Sequence, residues 1–473
     1  MPKGEAMKRF VILPLLAAVL LSACSPAAAP PTTSPVAANR DVIVDVTVVD
    51  VEKGTAVPGQ TVLVLGDRIE TIGATEAVNV PAGAEVIEGQ GLYLMPGLVD
   101  AHVHFFDPEV FGRLMIANGV VLVRDMGMPT EDVLPLRDEL NRGDVLGPEM
   151  VATGALLDGV PPLVPDISIG VATTEDGREA VRQQATAGVD MIKVYSRLDK
   201  DTFLAIVDEA QKVGLKAIGH VPESIYIEEA AAAGLSSSEH LFGFEKVIAR
   251  LLGEPVNLTY RGMGADVGYL LRLNEVQGEE LQGVYQRLRA SGLTVCPTVV
   301  VFKMGTRFDA ILAGDYSGSE YISPTVWDIW TSQWSQQSQL PDALWRSWAQ
   351  MVHQLHEAGI PLMVGTDLIT PGIIPGFALH EEMAIWQDAG IPPADVLRSA
   401  TIVPVQFMGL DHRLGHIAEG KAASMVLVRA NPLEDVRNAQ QIEGVFLRGQ
   451  YFRREDLDQL LAEAKELVRQ ASP

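Results

Sequence analysis

Short apolar runs alternate with helical stretches from Leu98 to Asp367, and this alternation constrains the fold more than any other feature. Helical patterns lie between most of the runs, for example Lys200 to Val213 and Glu228 to Ala233. Parallel strands that alternate with helices close into a barrel, so the sequence predicts an α/β fold with a (β/α)8 TIM barrel over residues 98–410. The eight runs predicted as strands are Leu98–Val103, Val120–Asp125, Glu149–Thr153, Val189–Val194, Leu215–His220, Leu235–His240, Leu293–Val301 and Ile360–Asp367.

Two long segments interrupt this alternation, Phe242 to Gly292 and Phe302 to Asp342. The second segment holds five of the six tryptophans if Trp345 and Trp348, which lie just after it, are counted with it. We expect a packed helical cap here, with a lid or substrate wall as the alternative.

Strand patterns of β-branched residues occur on both sides of the barrel. Before it, in residues 40–97, they cover Asp41 to Asp50 and Gln60 to Gly73; after it, in residues 411–453, they cover Ser424 to Arg429 and Glu443 to Phe452. Residues 454–473 follow, and Arg454 to Gln470 has apolar residues at helical spacing, which predicts a docked amphipathic helix.

The first residues are typical of an export signal. Lys8 and Arg9 precede an apolar run from Val11 to Leu21, which is shorter than the roughly 20 residues a spanning helix needs. Small residues then lead directly into Cys24, as in a bacterial lipobox, so we predict a signal peptide over 1–23, a lipidated Cys24 and a flexible tether over 24–39. The alternative is an ordinary signal peptide in which Cys24 is incidental.

This pattern predicts an exported bacterial lipoprotein that faces the periplasm or the cell exterior. The net charge of -25 argues against a nucleic-acid partner and against electrostatic attraction to anionic lipid. We therefore expect a small-molecule substrate, and membrane attachment only through the N-terminal lipid. No pattern in the sequence indicates an oligomeric state.

Residues that bind metals end several of the predicted strands. His102 and His104 are two positions apart on the first strand, so their side chains point to the same side. The other strand ends of this kind are at Lys193, His220, His240 and Asp367. Because barrel strands end on one face, all six side chains are expected to meet at one mouth.

Together with these residues, further motifs resemble the metal-dependent amidohydrolase superfamily, and within it the imidazolonepropionase-related and Xaa-Pro dipeptidase-like members. The likeness extends from about Asp41 to Phe452. It includes the segment from Val120 to Gly127 (VVLVRDMG), Pro297-Thr298, and the stretch from His380-Glu381-Glu382 through Leu433-Glu434-Asp435. The resemblance implies that the β segments from both chain ends form one small β-sandwich domain.

The resemblance also implies a centre of two divalent metal ions, expected to be zinc. His102, His104 and Asp367 would bind the more buried ion, and His220 and His240 the second. Lys193 would bridge the ions after carboxylation of its amine, because an unmodified lysine is a cation without a lone pair.

The implied activity is hydrolysis of a C–N bond in an amide, a cyclic amide or a dipeptide-like compound, which makes the protein an amidohydrolase. A hydroxide shared by the two metals would attack, and Asp367 would act as general acid and base. Tyr195 and His380 are candidate substrate-binding residues, although each could instead only pack against its neighbours. Arg124 and Asp125 are expected to form a structural ion pair.

Three alternatives stay open at this point. A lactone or phosphotriester substrate suits the same centre, and a single-metal centre with an unmodified Lys193 is a variant of it. A non-catalytic binding lipoprotein on the same scaffold is an alternative from another class. The loop from Thr153 to Asp166 lacks the Gly-Gly-His-Gly segment common in dipeptidase-like members, so a dipeptidase activity cannot simply be transferred.

Overall fold

The structure is a computed structural model that describes residues 40–260, 266–276, 278–334 and 339–471. The predicted signal peptide, Cys24 and the tether lie outside these residues. Among the described helices, none is long and apolar enough to cross a membrane.

The described chain begins with five strands, β1 (Arg40–Asp50), β2 (Thr55–Leu65), β3 (Arg68–Ala74), β4 (Glu85–Glu88) and β5 (Tyr93–Pro96). The strand β2 pairs antiparallel with β1 and β3, whereas β4 and β5 run parallel to β1. In β1, bulges near Val46 shift the register against β2. The first half of β1 pairs with β4 and the second half with β5.

Parallel strands then form the barrel, and their near-continuous burial explains their apolar sequences. In chain order, the strands of this region are β6 (Leu98–Val103), β7 (Val120–Asp125), β8 (Glu149–Ala152), β9 (Leu156–Asp158), β10 (Ser168–Gly170), β11 (Met191–Val194), β12 (Lys216–Gly219), β13 (Leu235–Glu239) and β14 (Thr294–Cys296), and all of them except β9 and β10 are barrel strands. The short parallel pair β9 and β10 lies in the loop after the third barrel strand, where the sequence predicts no strand.

The eighth predicted strand, Ile360–Asp367, is not a regular strand, yet it closes the barrel. Met363 N donates to Val295 O (2.9 Å) on β14, and Ala101 N donates to Val364 O (3.0 Å) from β6. The segment therefore joins the last regular strand to the first. Between β8 and β11, Asp190 N donates to Ala152 O at 2.9 Å.

The seventh predicted strand also differs, because it ends at Cys296 rather than Val301. The Glu382 carboxylate accepts hydrogen bonds from Val299 N (2.9 Å) and Val300 N (2.6 Å) and so caps a helix that starts there. A β-branched run that favours a strand is thus helical because a distant carboxyl group accepts hydrogen bonds from its first amides.

Amphipathic helices surround the barrel and fill both insertions. They are α1 (Pro108–Ala117), α2 (Thr130–Arg142), α3 (Thr174–Ala187), α4 (Lys200–Lys212), α5 (Ile227–Ala233), α6 (Phe244–Leu251), α7 (Glu279–Ser291), α8 (Val299–Gly305), α9 (Phe308–Leu312), α10 (Pro324–Trp334), α11 (Asp342–Glu357), α12 (Phe377–Asp388), α13 (Pro393–Ser399) and α14 (Ile402–Phe407). Short 3-10 helices occur at Pro165–Ile167, Val267–Glu275, Ser319–Tyr321 and Val436–Gln440.

Two tryptophans in or just after the second insertion pack onto the barrel mouth. Trp348 is fully buried, stacks on Phe302 at 3.7 Å, and donates from Nε1 to the carbonyl of His240 at 3.1 Å. Trp330, also fully buried, donates to the carbonyl of Ile369 at 2.6 Å. These contacts hold the loops at His240 and Ile369 in place, as a packed helical cap is expected to do.

The chain returns to the first sheet through β15 (Met425–Val428), β16 (Ile442–Leu447) and β17 (Gln450–Arg453) and ends in α15 (Arg454–Ala471). Segments predicted as continuous, Gln60–Gly73 and Glu443–Phe452, are each two strands joined by a tight turn. Antiparallel pairing of β15 with β5 joins both chain ends in one eight-stranded sheet.

This sheet curls, so that its β3 edge reaches the loop before β15. Gly420 N donates to Ile69 O (2.8 Å), and Ile69 N donates to Lys421 O (2.9 Å). The sheet encloses a core of its own that includes Val62, Leu94 and Phe446. The amphipathic α15 packs against α1, where Glu463 pairs with Arg113 at 3.0 Å.

Candidate metal centre and active site

Five of the six predicted ligand residues converge at the carboxyl ends of the barrel strands. One ligand-type atom from each of His102, His240 and Asp367 lies within 4.8 Å of the others. The imidazole centroids of His220 and His240 are 4.9 Å apart, and those of His102 and His104 are 5.9 Å apart. The sixth residue, Lys193, lies on β11 and is 1% exposed.

Asp367 links the first strand to the last. Its Oδ1 lies 3.3 Å from Nε2 of His102 and 3.6 Å from Nε2 of His104. Both Asp367 (φ 54°) and His240 (φ 58°) have left-handed backbone conformations, which are unfavourable for residues other than glycine. Such backbone strain is concentrated at functional sites, where the surrounding contacts hold it in place.

The Nδ1 atom of each site histidine has an oxygen partner, which leaves Nε2 to face the centre. When Nδ1 carries the proton and donates it, Nε2 holds the lone pair that a metal requires. The pairs are His102 with Glu239 Oε2 (2.9 Å), His104 with Gly127 O (2.7 Å), His220 with Ser196 Oγ (2.8 Å) and His240 with Thr298 Oγ1 (2.7 Å).

Burial keeps two of these histidines neutral. It lowers the pKa of His240 to about 3, and it holds the pKa of His220 well below the ordinary value, with the charge of Lys193 acting in the same direction. A neutral imidazole is the form that binds a cation. These two side chains are therefore ready to bind metal at neutral pH.

Asp367 and Lys193 are perturbed in ways that also suit a metal centre. Burial alone would raise the pKa of Asp367, but the nearby His240 and His102 hold it well below its usual range, so the side chain is a carboxylate. Burial lowers the pKa of Lys193 to about 8, although Glu239 and Asp367 oppose this shift. A larger fraction of Lys193 is thus the neutral amine than for an exposed lysine.

Arg124 and Glu239 form an ion pair inside the barrel that sequence reasoning missed. Arg124 Nη2 lies 3.1 and 3.0 Å from the two Glu239 oxygens, and neither residue is exposed to solvent. The predicted pair of Arg124 with Asp125 is wrong, because Asp125 instead accepts backbone hydrogen bonds from Phe105 and Gly127. The signal that could have found Glu239 is the alternation of side chains along a strand, which places Glu239 on the interior face of β13.

The two candidate substrate residues have different surroundings. The Tyr195 ring stacks on His220 with centroids 4.1 Å apart and an interplanar angle of 28°. His380 is buried in α12, and its Nε2 lies 3.0 Å from the carbonyl of Asn118 at the end of α1. Tyr195 therefore lies beside the histidine cluster, whereas the hydrogen bond of His380 to Asn118 connects two helices.

The donor set fits divalent metal ions. Four imidazoles and a carboxylate converge, their outer atoms are held by hydrogen bonds, and a buried lysine stands next to them. Imidazole and carboxylate donors suit zinc and similar ions. The class of protein that the barrel and this site define is a metal-dependent hydrolase with its centre at the carboxyl ends of the strands.

Comparisons with known proteins agree with this class. A model of the Amidohydrolase family matches residues 93–451. Adenine deaminase 3 of Rhizobium meliloti (strain 1021) is 24% identical over 418 residues, which cover 85% of this chain and 56% of that protein. The chain thus spans about half the length of this relative.

Solved structures show the same fold. The bottromycin amidohydrolase superposes with a TM-score of 0.72 at 24% identity, covering 91% of this chain and 90% of that one. A Bifidobacterium longum protein assigned as a prolidase superposes with a TM-score of 0.66 at 24% identity, covering 90% and 99%. The chain belongs to the amidohydrolase family, as the sequence motifs predicted.

Proposed function

We propose that the protein hydrolyses a C–N bond in a small amide, cyclic amide or dipeptide-like substrate at a centre of two divalent metal ions. The similar proteins named above are a deaminase, an amidohydrolase and a prolidase, and such enzymes cleave C–N bonds. The observation that carries the proposal is the approach of Asp367 Oδ1 to the Nε2 atoms of His102 and His104, within a ring of buried imidazoles.

His102 and His104 with Asp367 would hold one ion, and His220 and His240 the other. When bound, divalent ions polarise a substrate carbonyl and lower the pKa of water. Zinc is the ion we expect, because imidazole and carboxylate donors dominate the set. Lys193 would join the two positions as a carboxylated amine, since its lowered pKa increases the fraction of free amine that can react with carbon dioxide.

Asp367 would transfer the proton. As a carboxylate of depressed pKa it accepts a proton from the attacking water, and it then donates that proton to the leaving nitrogen. The hydrogen bonds to the outer imidazole atoms keep the rings fixed while this happens. Tyr195 would form one wall of the substrate pocket, because its ring already lies flat against His220.

The cellular location is a separate proposal. We propose that Cys24 carries the lipid that anchors an exported protein, on the basis of the apolar run and the small residues before this cysteine. Mass spectrometry of the N-terminal peptide would detect the lipid. Cys24→Ala should move the protein from the membrane fraction to the soluble one.

A substrate panel tests the reaction. The metal-loaded protein would be assayed with dipeptides, N-acyl amino acids, cyclic amides, lactones and phosphotriesters, with Asp367→Asn as the matched inactive control. Hydrolysis of a C–N substrate that Asp367→Asn abolishes is expected. Activity confined to lactones or phosphotriesters would replace the proposed reaction, and inactivity of the loaded protein on the whole panel would favour a binding protein.

A further inference from the structure

The four site histidines differ in the charge of their outer partners. His102 Nδ1 faces the Glu239 carboxylate at 2.9 Å, whereas His104 faces a backbone carbonyl. His220 and His240 face only hydroxyls, at 2.8 and 2.7 Å. One imidazole of the proposed centre therefore has an anionic partner, and that imidazole belongs to the first metal position.

The carboxylate that faces His102 is held in place from several sides. Arg124 approaches both of its oxygens from Nη2, and Ser237 Oγ donates to Oε1. Arg124 is itself fixed by donating from Nε to Ala101 O at 2.6 Å on the strand that carries His102. Glu239, Arg124 and Ser237 are all fully buried, so this network has no competition from solvent.

A carboxylate partner changes the ligand more than a hydroxyl does. Donation of Nδ1–H to an anion increases electron density on the ring and strengthens Nε2 as a donor to a cation. A hydroxyl is neutral and can rotate, so it orients the ring without adding this charge effect. The first position also has the Asp367 carboxylate, and the anionic partner of His102 adds to this difference, so the two positions should bind ions with different strength.

We propose that the two metal positions are unequal: the His102 position retains its ion, the position of His220 and His240 releases its ion first, and Glu239 is a positioning residue that increases the difference. This inference rests on the metal centre of the proposed function, but it does not depend on the substrate or on turnover.

Stepwise chelation tests the proposal with metal content as the readout. The purified protein would be loaded with Co²⁺, titrated with a chelator, and followed by elemental analysis and by the visible absorption of the remaining cobalt. We expect two separate losses in the wild type. In His220→Asn, the loss that comes from the weakly held ion should be absent, whereas the loss from the tightly held ion should remain.

Glu239→Gln keeps a hydrogen-bond acceptor but removes the charge. We expect it to weaken the tightly held ion by about 10–100-fold, the range seen when outer-shell partners are lost, and to shift the spectrum of that ion. The double variant Arg124→Met with Glu239→Gln removes both charges of the pair, so a lone buried Arg124 cannot unfold the protein. Ser196→Ala is the matched control and should affect only the weakly held ion.

Three results would overturn the proposal. They are loss of both ions in one step from the wild type, loss of the stronger ion in His220→Asn, and an unchanged stronger ion in the folded double variant. Two unequal ions in a protein without hydrolytic activity would leave this inference standing and reject the proposed function. An active hydrolase that holds its two ions equally tightly would reject this inference and leave the proposed function standing.

Discussion

The Nε2 atom of His102 lies 3.3 Å from Oδ1 of Asp367, so the first and last strand ends of the barrel meet across the centre. This contact places an ionised carboxylate next to the imidazoles. It gives Asp367 two proposed tasks, holding an ion and moving a proton.

Asp367→Asn should lower kcat/KM by at least about 100-fold, because an amide cannot accept the proton that a general base takes. The fold should persist, since the amide keeps the size of the side chain. Steady-state kinetics with the best substrate of the panel and a thermal melt check both statements. Asp411→Asn, at an exposed position, is the control; activity within a few-fold of the wild type in Asp367→Asn would remove the role given to this residue.

Arg124→Met should lower the free energy of unfolding by about 3–5 kcal/mol, because it leaves the Glu239 charge buried without its partner. The double variant with Glu239→Gln should recover part of that loss, since no unpaired charge remains. Urea unfolding of the wild type, both single variants and the double variant gives the coupling energy. Additive losses would show that the two residues do not stabilise each other.

Tyr195→Phe and Tyr195→Ala separate stacking from hydrogen bonding. The phenylalanine variant keeps the ring on His220, so its metal content should match the wild type while KM rises through the lost hydroxyl. The alanine variant also removes the ring, and it should bind metal less tightly. Elemental analysis and KM measurements distinguish the two; an unchanged KM in Tyr195→Phe would exclude contact of the hydroxyl with substrate.

Glu245 should make stability depend on pH. Burial raises its pKa to about 7, with Lys246 opposing and Glu223 adding to the shift. Between the unfolded value near 4.5 and about 7, the folded chain holds the extra proton, so the free energy of unfolding falls as pH rises through this window. The fall ends above pH 7 and amounts to roughly 3 kcal/mol.

The side chain of the Glu245→Gln variant cannot ionise. Its free energy of unfolding, relative to that of the wild type, should therefore be higher at pH 8 than at pH 5. The hydrogen bond from Gly243 N can be kept by the amide oxygen. Denaturant unfolding of both proteins at the two pH values provides the comparison, with the exposed Glu70→Gln as control. The same difference at both pH values would contradict a perturbed Glu245.

The sequence predicted the barrel strands and the convergence of the strand-end residues well because both depend on local patterns. The run Val120–Asp125 matches β7 residue for residue, and Leu98–Val103 matches β6. The end of a strand can be recognised in the sequence where an apolar run stops at a polar residue. His220 and His240 follow directly on β12 and β13, so their place at the mouth could be predicted without knowledge of any contact.

Features that depend on distant partners could not be predicted in this way. Val299 and Val300 favour a strand locally, but Glu382 caps them into a helix. Arg124 is followed in the chain by an acidic residue, yet its partner is Glu239 on another strand. In both cases the deciding side chain comes from a remote part of the sequence.

The central claim is that the strand-end residues form a centre of two divalent metal ions. Elemental analysis of protein purified without chelators tests it most directly, with a variant that carries both His220→Asn and His240→Asn as the comparison. We expect about two divalent ions per wild-type chain and about one in the variant. A wild-type chain that is folded but binds no divalent metal, even after incubation with zinc, would contradict it.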